Sequence, residues 1–249
     1  MKKDKKVVVV MPAYNAERTL EKTYRDIPKD VADEVIVVDD DSQDKTVKIA
    51  GKLNLKTFVH PKNLGYGGNQ KTCYWEALKG KPDIIVMIHP DYQYDATLTA
   101  DLIKPIINGC FDIMLGSRIR SRKEALEGGM PLYKYLANRL LTFAENLVLG
   151  LNLSEYHTGF RAYTRKVLQA LPFQRFSNNF VFDQEILISA VAAGFEIGEI
   201  PVPVRYFPEA SSINFSRSVH YGLKTLLTLL KYILFSLGIQ SKIFAKKRK

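Results

Sequence analysis

The chain has 249 residues, of which 46% are hydrophobic and 25% are charged, an ordinary globular composition with enough residues for one large α/β domain. Its formal charge of +10 implies an anionic partner, such as a phosphorylated small molecule, an anionic membrane or a nucleic acid. Cys73 and Cys110 lack the spacing of a metal or redox site, and the basic start leads into a strand rather than a signal core, so we expect a cytoplasmic protein.

The first half of the chain alternates short apolar runs with helical segments. This alternation predicts a mostly parallel sheet with helices on both faces. The predicted strands are residues 7–11, 34–38, 55–59, 84–88 and 112–116. The predicted helices are residues 16–26, a segment capped by Asp44, a segment from a glycine-rich turn to residue 79, and residues 96–107.

The second half is less regular. Apolar spacing predicts a helix over residues 132–149 and another within 178–193, and two short strands are predicted at 195–200 and 202–206. There is no internal repeat and no clear linker, so the simplest organisation is one domain, residues 1–215, with an appendage at 216–249.

The appendage predicts an amphipathic helix followed by a basic tail. Its apolar residues share one helical face, and Lys224, Thr228, Lys231 and Tyr232 lie away from that face. Lysines interrupt the apolar stretch, which is shorter than the roughly 20 residues that span a bilayer, so we expect a helix lying in the membrane interface. A helix packed on the domain or in an oligomer contact is the alternative. The apolar face consists of Leu223, Leu226, Leu227, Leu230, Ile233, Leu234 and Leu237.

Carboxylates follow three predicted elements: Glu17 after the first strand, Asp39 to Asp41 after the second, and Asp91 after the fourth. The carboxyl edge of an open α/β sheet is where ligands bind. Gathered carboxylates repel one another, and a divalent cation that recruits a diphosphate would relieve the repulsion. Taken alone, residues 88–95 also fit a polar loop in which Asp95 caps the next helix. An acidic crevice between basic termini disfavours a nucleic-acid partner.

Neither of the common phosphate-binding loops is present. The chain has no Walker A sequence, and Gly65-Tyr66-Gly67-Gly68 resembles a dinucleotide fingerprint only weakly because it does not follow the first strand. A flexible turn before a helix is at least as good an interpretation of these glycines.

Several motifs, in order and with their spacing, are similar to those of inverting family 2 glycosyltransferases with the GT-A fold. They are Pro12-Ala13-Tyr14-Asn15-Ala16-Glu17, Val37-Val38-Asp39-Asp40-Asp41-Ser42, Asn63-Leu64-Gly65 and the Asp91 loop. Three others resemble the branch that contains the dolichyl- and polyprenyl-phosphate sugar synthases, namely Gly116-Ser117-Arg118, Thr158-Gly159-Phe160-Arg161 and Glu199-Ile200-Pro201-Val202. The resemblance spans residues 7–206.

The resemblance implies a nucleoside diphosphate sugar, UDP- or GDP-linked, as donor. It also implies a role for each matching residue. Pro12, Tyr14 and Glu17 would line the nucleobase and ribose pocket, Asp39 and Asp41 would contact base or ribose, Asp91 and Gln93 would hold Mg²⁺ or Mn²⁺ on the diphosphate, and Arg118 would lie near the transferring phosphate or sugar.

The chain departs from the family pattern at His89, where the family usually has the first aspartate of Asp-x-Asp. Imidazole can bind Mn²⁺ but is a poor ligand for Mg²⁺. Either His89 binds a softer ion, or Asp91 and Gln93 hold the metal without it, or metal dependence is weakened; we favour the second. A histidine hydrogen-bonded to backbone is the structural alternative.

The acceptor could be a phosphate or a hydroxyl. A lipid monophosphate is already anionic and needs cations, for which Arg118, Arg161 and Arg205 are candidates together with Arg120 and Arg122. A sugar hydroxyl would need a base, and Asp183 and Glu185 lie where the family often places one. Ordinary surface ion pairs are the alternative for Arg161 and Arg205, and a plain turn is the alternative for Thr158-Gly159.

The signature of processive polysaccharide synthases, Gln-x-x-Arg-Trp, is absent, and the single tryptophan is Trp75. We therefore expect inverting transfer of one hexose to a polyprenyl phosphate at the cytoplasmic membrane face, with Asp91, Arg118 and Asp183 as catalytic residues. The alternatives are a soluble family 2 enzyme acting on a hydroxyl and a catalytically impaired nucleotide-sugar-binding protein.

Overall fold

The computed structural model describes residues 5–119, 131–203 and 215–244. Its strands are β1 (Val7–Ala13), β2 (Glu34–Asp39), β3 (Lys56–Val59), β4 (Ile84–Ile88), β5 (Ile113–Ser117), β6 (Phe160–Thr164) and β7 (Ile197–Pro201). Its α-helices are α1 (Leu20–Asp26), α2 (Thr46–Lys52), α3 (Tyr66–Lys79), α4 (Thr99–Ile107), α5 (Leu132–Leu149), α6 (Arg165–Ala170), α7 (Phe182–Ala192) and α8 (Phe215–Ser236). Short 3₁₀ turns occupy Ala96–Leu98 and Phe173–Arg175.

The strands of the described chain form one sheet in the order β3-β2-β1-β4-β6-β5-β7. All neighbouring pairs are parallel except those that β6 makes with β4 and β5. This confirms the predicted mostly parallel α/β sheet, in which β6 is antiparallel to its neighbours. The chain winds from β1 to β2 and β3 on one side, and then places β4 on the other side of β1. That reversal opens a crevice between the carboxyl ends of β1 and β4, which is the usual ligand position in such sheets.

Burial on both faces explains why β1 is apolar throughout. Val8 and Val10 pack into the core beside α3 and α7, whereas Val7, Val9 and Met11 pack into the core beside α1 and α4. A strand covered on both faces has no solvent side and therefore needs no polar alternation.

Strand β6 is not among the elements predicted from the sequence, and some element boundaries differ from the predicted ones. Arg161 lies at the centre of β6 and interrupts its apolar run, yet its side chain is fully buried. The helix expected over 16–26 begins only at Leu20, because the Ala16 backbone N–H donates to the Thr46 hydroxyl and the residues between form a turn. Of the strand expected at 202–206, residues 202 and 203 are not in a strand and the rest lie outside the described residues.

Helices α5 and α8 carry an unusual amount of exposed apolar surface. Of the nineteen exposed large apolar side chains in the described chain, thirteen lie on these two helices. The leucines of α8 share one face, as their spacing predicts, but that face points outward, while Thr225, Thr228 and Leu229 are buried. No helix in the described ranges combines the length and hydropathy needed to cross a bilayer.

Candidate active site

Asp39 is fully buried at the end of β2, beside the crevice. Its Oδ2 accepts a hydrogen bond from the Ser42 backbone N–H at 2.9 Å, but its Oδ1 has no hydrogen-bond partner among the described residues. A buried acceptor without a donor is costly, about 1–3 kcal/mol. Asp39 therefore has an oxygen that could accept a hydrogen bond from a ligand, and its contact with a base or a ribose remains a prediction.

Asp40, by contrast, turns into the protein. Its carboxylate lies 2.7 Å from His60 Nδ1 and accepts hydrogen bonds from the backbone N–H groups of Leu64 and Gly65 at 2.8 and 3.0 Å. Asp40 thereby fixes the turn that leads into α3. The three aspartates after β2 do not share one role, which spacing alone could not reveal.

Three residues at the carboxyl ends of adjacent strands adopt left-handed backbone conformations. They are Asn15 after β1, Asp41 after β2 and Tyr92 after β4, with φ angles of 50°, 64° and 61°. Such φ values are uncommon outside glycine and cluster at functional sites. Asp41, which is half-buried and is predicted to contact the donor, is one of these three residues.

The predicted residues after β1 lie in different environments. Pro12 is buried and Tyr14 is 54% exposed at the rim of the crevice. Glu17 is half-buried and accepts a hydrogen bond from the Lys45 backbone N–H at 3.0 Å, while its own N–H donates to Asp44. Glu17 therefore ties the loop after β1 to the loop after β2.

Asp91 and Gln93 follow β4 on the other side of the crevice. Asp91 Oδ1 accepts from the Gln93 backbone N–H at 3.1 Å, and the Gln93 side chain is buried. Asp95 caps the next 3₁₀ turn by accepting a hydrogen bond from the Thr97 N–H, so the capped-loop interpretation holds for Asp95. It does not explain the role of Asp91.

No three His, Cys, Asp or Glu side chains converge on a metal-sized point within the described ranges. The donor set nevertheless fits Mg²⁺ or Mn²⁺ held on a nucleotide, since such ions commonly use one or two carboxylates together with substrate phosphates and water. Asp91 supplies one such carboxylate at the edge of the crevice.

His89 is held by protein groups on both sides of its ring. Its Nε2 lies 2.9 Å from the Tyr66 hydroxyl, and the imidazole also hydrogen-bonds to the Pro12 backbone. Burial lowers the pKa of His89, which favours the neutral ring. Gly159 packs directly against this ring, because a Cβ there would lie 2.4 Å from His89 Cδ2. These contacts favour the backbone-bonded alternative for His89 and explain the glycine in Thr158-Gly159.

Asp183, at the start of α7, is the centre of a buried hydrogen-bond cluster. It accepts from the Tyr66 hydroxyl at 2.7 Å and from Gln70 Nε2 at 3.0 Å, and it pairs with Arg161 at 3.1 Å. Burial and the Asp183 carboxylate raise the pKa of Tyr66 well above its usual value, so this hydroxyl keeps its proton. The Tyr66 hydroxyl therefore links Asp183 to His89.

Arg161 is fully buried, and each of its guanidinium nitrogens donates to a protein oxygen. The acceptors are the carbonyls of Thr158, Asp183 and Tyr156. The expectation that Arg161 contacts an acceptor, and the alternative of a surface ion pair, both conflict with this placement. The cause is β6, whose register puts Arg161 beside Met87 in the middle of the sheet.

Arg118 lies just after β5 and is anchored by Glu155. The two side chains form a salt bridge, and Arg118 also donates to the His157 carbonyl. Burial raises the pKa of Glu155, but the charge and hydrogen bonds of Arg118 outweigh burial and hold it below its usual value. A contact between Arg118 and the transferred group remains a prediction. Arg120, Arg122 and Arg205 lie outside the described residues.

Tyr66 and Gln70 are site residues that the sequence analysis missed. They lie one helical turn apart at the start of α3, and Tyr66 is part of the glycine turn, for which a flexible turn is one interpretation. The turn is closely packed instead: a Cβ on Gly67 would lie 2.4 Å from the Ser177 carbonyl, and the Gly67 N–H donates to the Asn178 carbonyl at 2.7 Å. The feature of the sequence that could have indicated this cluster is the run of four consecutive polar residues, 69–72, in α3.

Comparisons with known proteins identify the family of the chain. A family model described as glycosyl transferase family 2 matches residues 8–171. The UDP-N-acetylglucosamine–dolichyl-phosphate N-acetylglucosaminyltransferase of Methanococcus voltae is 31% identical over 220 residues, which cover 82% of this chain and 87% of that protein. Glycosyltransferase AglD of Haloferax volcanii is 31% identical over 209 residues, which cover 79% of this chain and 32% of AglD.

Solved structures extend the likeness to the fold. Glucosyl-3-phosphoglycerate synthase from Mycobacterium tuberculosis, in complex with Mn²⁺, UDP and phosphoglyceric acid, matches with a TM-score of 0.71 and 21% identity over 96% of this chain and 81% of that chain. The same enzyme in complex with Mg²⁺ and UDP matches with a TM-score of 0.69. The fold is therefore GT-A, and the chain belongs to glycosyl transferase family 2 and is a glycosyltransferase.

Proposed function

We propose that the protein transfers one hexose from a UDP- or GDP-linked sugar to a polyprenyl (dolichyl-type) phosphate, with inversion, at the cytoplasmic face of a membrane. An acceptor phosphate oxygen forms the new bond to the anomeric carbon while the bond to the nucleoside diphosphate breaks on the opposite side. The observation that carries the proposal is the state of Asp183, one of the two carboxylates predicted as a possible base. The other, Glu185, is buried and accepts a hydrogen bond from the Ser177 backbone N–H at 2.6 Å.

Asp183 is poorly suited to act as a base. Its two oxygens already receive a hydroxyl proton from Tyr66, an amide proton from Gln70 and the guanidinium of Arg161. Taking a further proton from an acceptor would require one of these contacts to break. A phosphate acceptor is ionised at pH 7 and needs no base, whereas a sugar hydroxyl does. The site therefore suits the phosphate, and Asp183 acts by holding Tyr66 and His89 in place.

The donor side is assigned to the crevice between β1 and β4. Asp39 would accept a hydrogen bond from the base or ribose through its unpaired Oδ1. Asp91 would hold a divalent cation together with the donor phosphates, and Pro12, Tyr14, Glu17 and Asp41 would line the pocket. When bound, the cation stabilises the charge that develops on the leaving diphosphate.

The relatives support the acceptor class. The Methanococcus voltae protein carries a dolichyl phosphate acceptor in its name and aligns over most of both chains. A lipid acceptor in turn places the enzyme at a membrane surface, which agrees with the exposed leucines of α8.

The test is a transfer assay with the full chain in detergent micelles, using labelled UDP- and GDP-sugars with Mn²⁺ or Mg²⁺. Polyprenyl phosphate and the matching polyprenol are compared as acceptors, and label is counted in the organic phase. We expect label in the phosphate arm alone, and Asp183→Asn to keep part of that transfer. Transfer to the alcohol that Asp183→Asn abolishes would instead establish a base-dependent hydroxyl acceptor. Failure to turn over any donor would indicate an impaired nucleotide-sugar-binding protein.

Asp91→Ala should reduce transfer at least about 100-fold, because the cation on the leaving diphosphate loses its protein carboxylate ligand. Asp95→Ala is the matched control four residues away. It should keep near-normal turnover and lose about 1 kcal/mol of stability with its cap. Equal turnover in both variants would show that Asp91 is not a ligand of the catalytic cation.

A further inference from the structure

Helices α5 and α8 present an apolar surface that no described part of the chain covers. On α5 the exposed residues recur at helical spacing, and Leu140, Phe143 and Leu147 are 70%, 66% and 74% exposed. On α8 the exposed residues run from Val219 to Leu234. Single exposed leucines are ordinary, but a concentration on two neighbouring helices is not. We define this apolar surface by its members: Leu132, Tyr133, Leu136, Leu140, Phe143 and Leu147 of α5, and Val219, Leu223, Leu226, Leu227, Leu230, Ile233 and Leu234 of α8.

The sides of the two helices that face the domain are partly polar. The buried residues of α5 are Asn138, Thr142, Glu145 and Leu149, and those of α8 are Thr225, Thr228 and Leu229. An ordinary surface helix buries most of its large apolar side chains, whereas here most of them are exposed. The helices lie against each other where Gly222 meets Leu141, and helical geometry places both apolar stripes opposite the sides that pack on the domain. Most of the leucines on these helices are therefore available for contact with something outside the domain.

The charge at the edge of the surface is positive. Helix α8 has no acidic residue, and the single acidic residue of α5, Glu145, is fully buried. Lys224 and Lys231 are exposed beside the leucines. The sequence then ends in Lys246-Lys247-Arg248-Lys249. An apolar helical face with a basic edge and no exposed acid complements an anionic lipid surface.

We propose that the apolar surface of α5 and α8 docks the enzyme onto an anionic bilayer. A symmetric dimer through the same surface is disfavoured, because an isologous interface would bring identical lysines together without an acid to pair with them. The proposal deepens the proposed function and rests on it for the acceptor. It also names α5 as half of the docking surface, in addition to the appendage.

The docking surface is connected to the acceptor side of the site. Tyr221 of α8 lies 2.7 Å from His157 Nδ1 and 2.7 Å from Gln184 Nε2. Gln184 follows Asp183 directly, and the His157 carbonyl accepts from Arg118. A bilayer bound by α8 would therefore lie on the side of the molecule where an acceptor phosphate is needed.

The test is flotation of the full chain with vesicles of phosphatidylcholine alone or mixed with phosphatidylglycerol. We expect flotation with the mixed vesicles and much less with the neutral ones. Leu140→Ser with Phe143→Ser on α5 and Leu223→Ser with Leu230→Ser on α8 should each weaken binding about tenfold or more. Trp75→Ser, which removes a side chain that is 54% exposed on α3, is the matched control and should bind normally.

Normal flotation of both double variants would overturn the proposal. So would a dimer in light scattering that the same variants convert to a monomer, because a second copy would then cover the surface. Transfer to a water-soluble short-chain prenyl phosphate without vesicles separates the two claims. If the double variants keep that transfer but fail to float, docking is supported independently; if the wild type transfers but does not float, only the docking fails.

Discussion

Two buried carboxylates, Asp39 and Glu145, have oxygens that no hydrogen bond satisfies within the described residues. They differ in position. Asp39 ends a strand beside the crevice, whereas Glu145 lies inside, where His157 Nε2 is 3.3 Å away without aligning as a hydrogen bond. For Asp39 we propose a role in binding the donor, whereas the unpaired carboxylate of Glu145 in the interior is an electrostatic cost.

Burial raises the pKa of Glu145 well above its usual value. The folded state therefore binds a proton that the unfolded state has released, and the free energy of unfolding should fall as pH rises above the usual glutamate pKa. Burial also lowers the pKa of His157 to about 4, which acts in the opposite direction between that value and the usual histidine pKa.

Glu145→Gln removes the titration at nearly constant volume. We expect it to stabilise the protein by about 1–3 kcal/mol near pH 8 and by progressively less as pH falls, measured by urea unfolding from about pH 5 to about pH 8. Glu21→Gln, at an exposed ion pair with Arg25, should change stability by less than about 1 kcal/mol at every pH. A gain from Glu145→Gln that does not vary with pH would contradict the interpretation.

At the scale of elements, the Tyr221 hydroxyl is a polar anchor of α8 on the domain. The Tyr221 hydroxyl links α8 to His157 and Gln184, while the buried hydroxyls of Thr225 and Thr228 bond back to carbonyls of their own helix. Burial raises the pKa of Tyr221 well above its usual value, so the hydroxyl remains a donor. The anchor therefore positions the helix against the segment that carries His157 and Asp183.

Tyr221→Phe should cost about 1–3 kcal/mol, because the partners of the hydroxyl remain buried without it. It should lower kcat for transfer more than it raises the donor KM, since the cluster adjoins Asp183 rather than the donor crevice. Tyr232→Phe is the control on the same helix, where the ring packs edge-on against Phe244. Matching losses in kcat for both variants would show that Tyr221 has no special link to the site.

Strand β6 could not be predicted from apolar periodicity, because Arg161 interrupts its apolar run. Strands β1, β2, β4 and β5 could be predicted because each contains an apolar run bounded by turn residues, whereas β3 is a short edge strand with the mixed sequence Lys56-Thr57-Phe58-Val59. In β6, Phe160 and Ala162 face one core while Arg161 and Tyr163 face the other side of the sheet. Arg161 is tolerated there because Asp183 and three carbonyls surround it, and those groups come from distant parts of the chain.

At the scale of the whole molecule, an acidic crevice lies in a chain of net charge +10. The sheet order brings the ends of β2, β1 and β4 side by side, and with them Asp39, Asp41, Glu17 and Asp91. A divalent cation would offset these negative charges and bridge them to an anionic donor diphosphate, so donor and metal should bind together.

Donor binding should therefore raise the thermal midpoint. With a UDP- or GDP-sugar and Mn²⁺ at about 100 times the dissociation constant, mass action adds about 2.7 kcal/mol, or about 5–10 °C for a domain of this size. Asp39→Asn should leave the ligand-free midpoint equal or higher, because it discharges a buried oxygen, and should largely remove the donor-induced shift. Asp30→Asn, at an exposed site, should keep the full shift. An unchanged shift in Asp39→Asn would exclude Asp39 from the donor site.

The sequence by itself determined the α/β class, most strands, the carboxylates at the strand ends and the family, because these follow from local periodicity and from the order of short motifs. Only the tertiary structure decided what each polar residue does. It placed Arg161 inside the sheet, divided Asp39 from Asp40, joined Asp183 to His89 through Tyr66, and turned the leucines of α5 and α8 outward. The physical reason is that burial and hydrogen-bond partners are set by residues far apart in the chain, whereas periodicity records only which residues share a face.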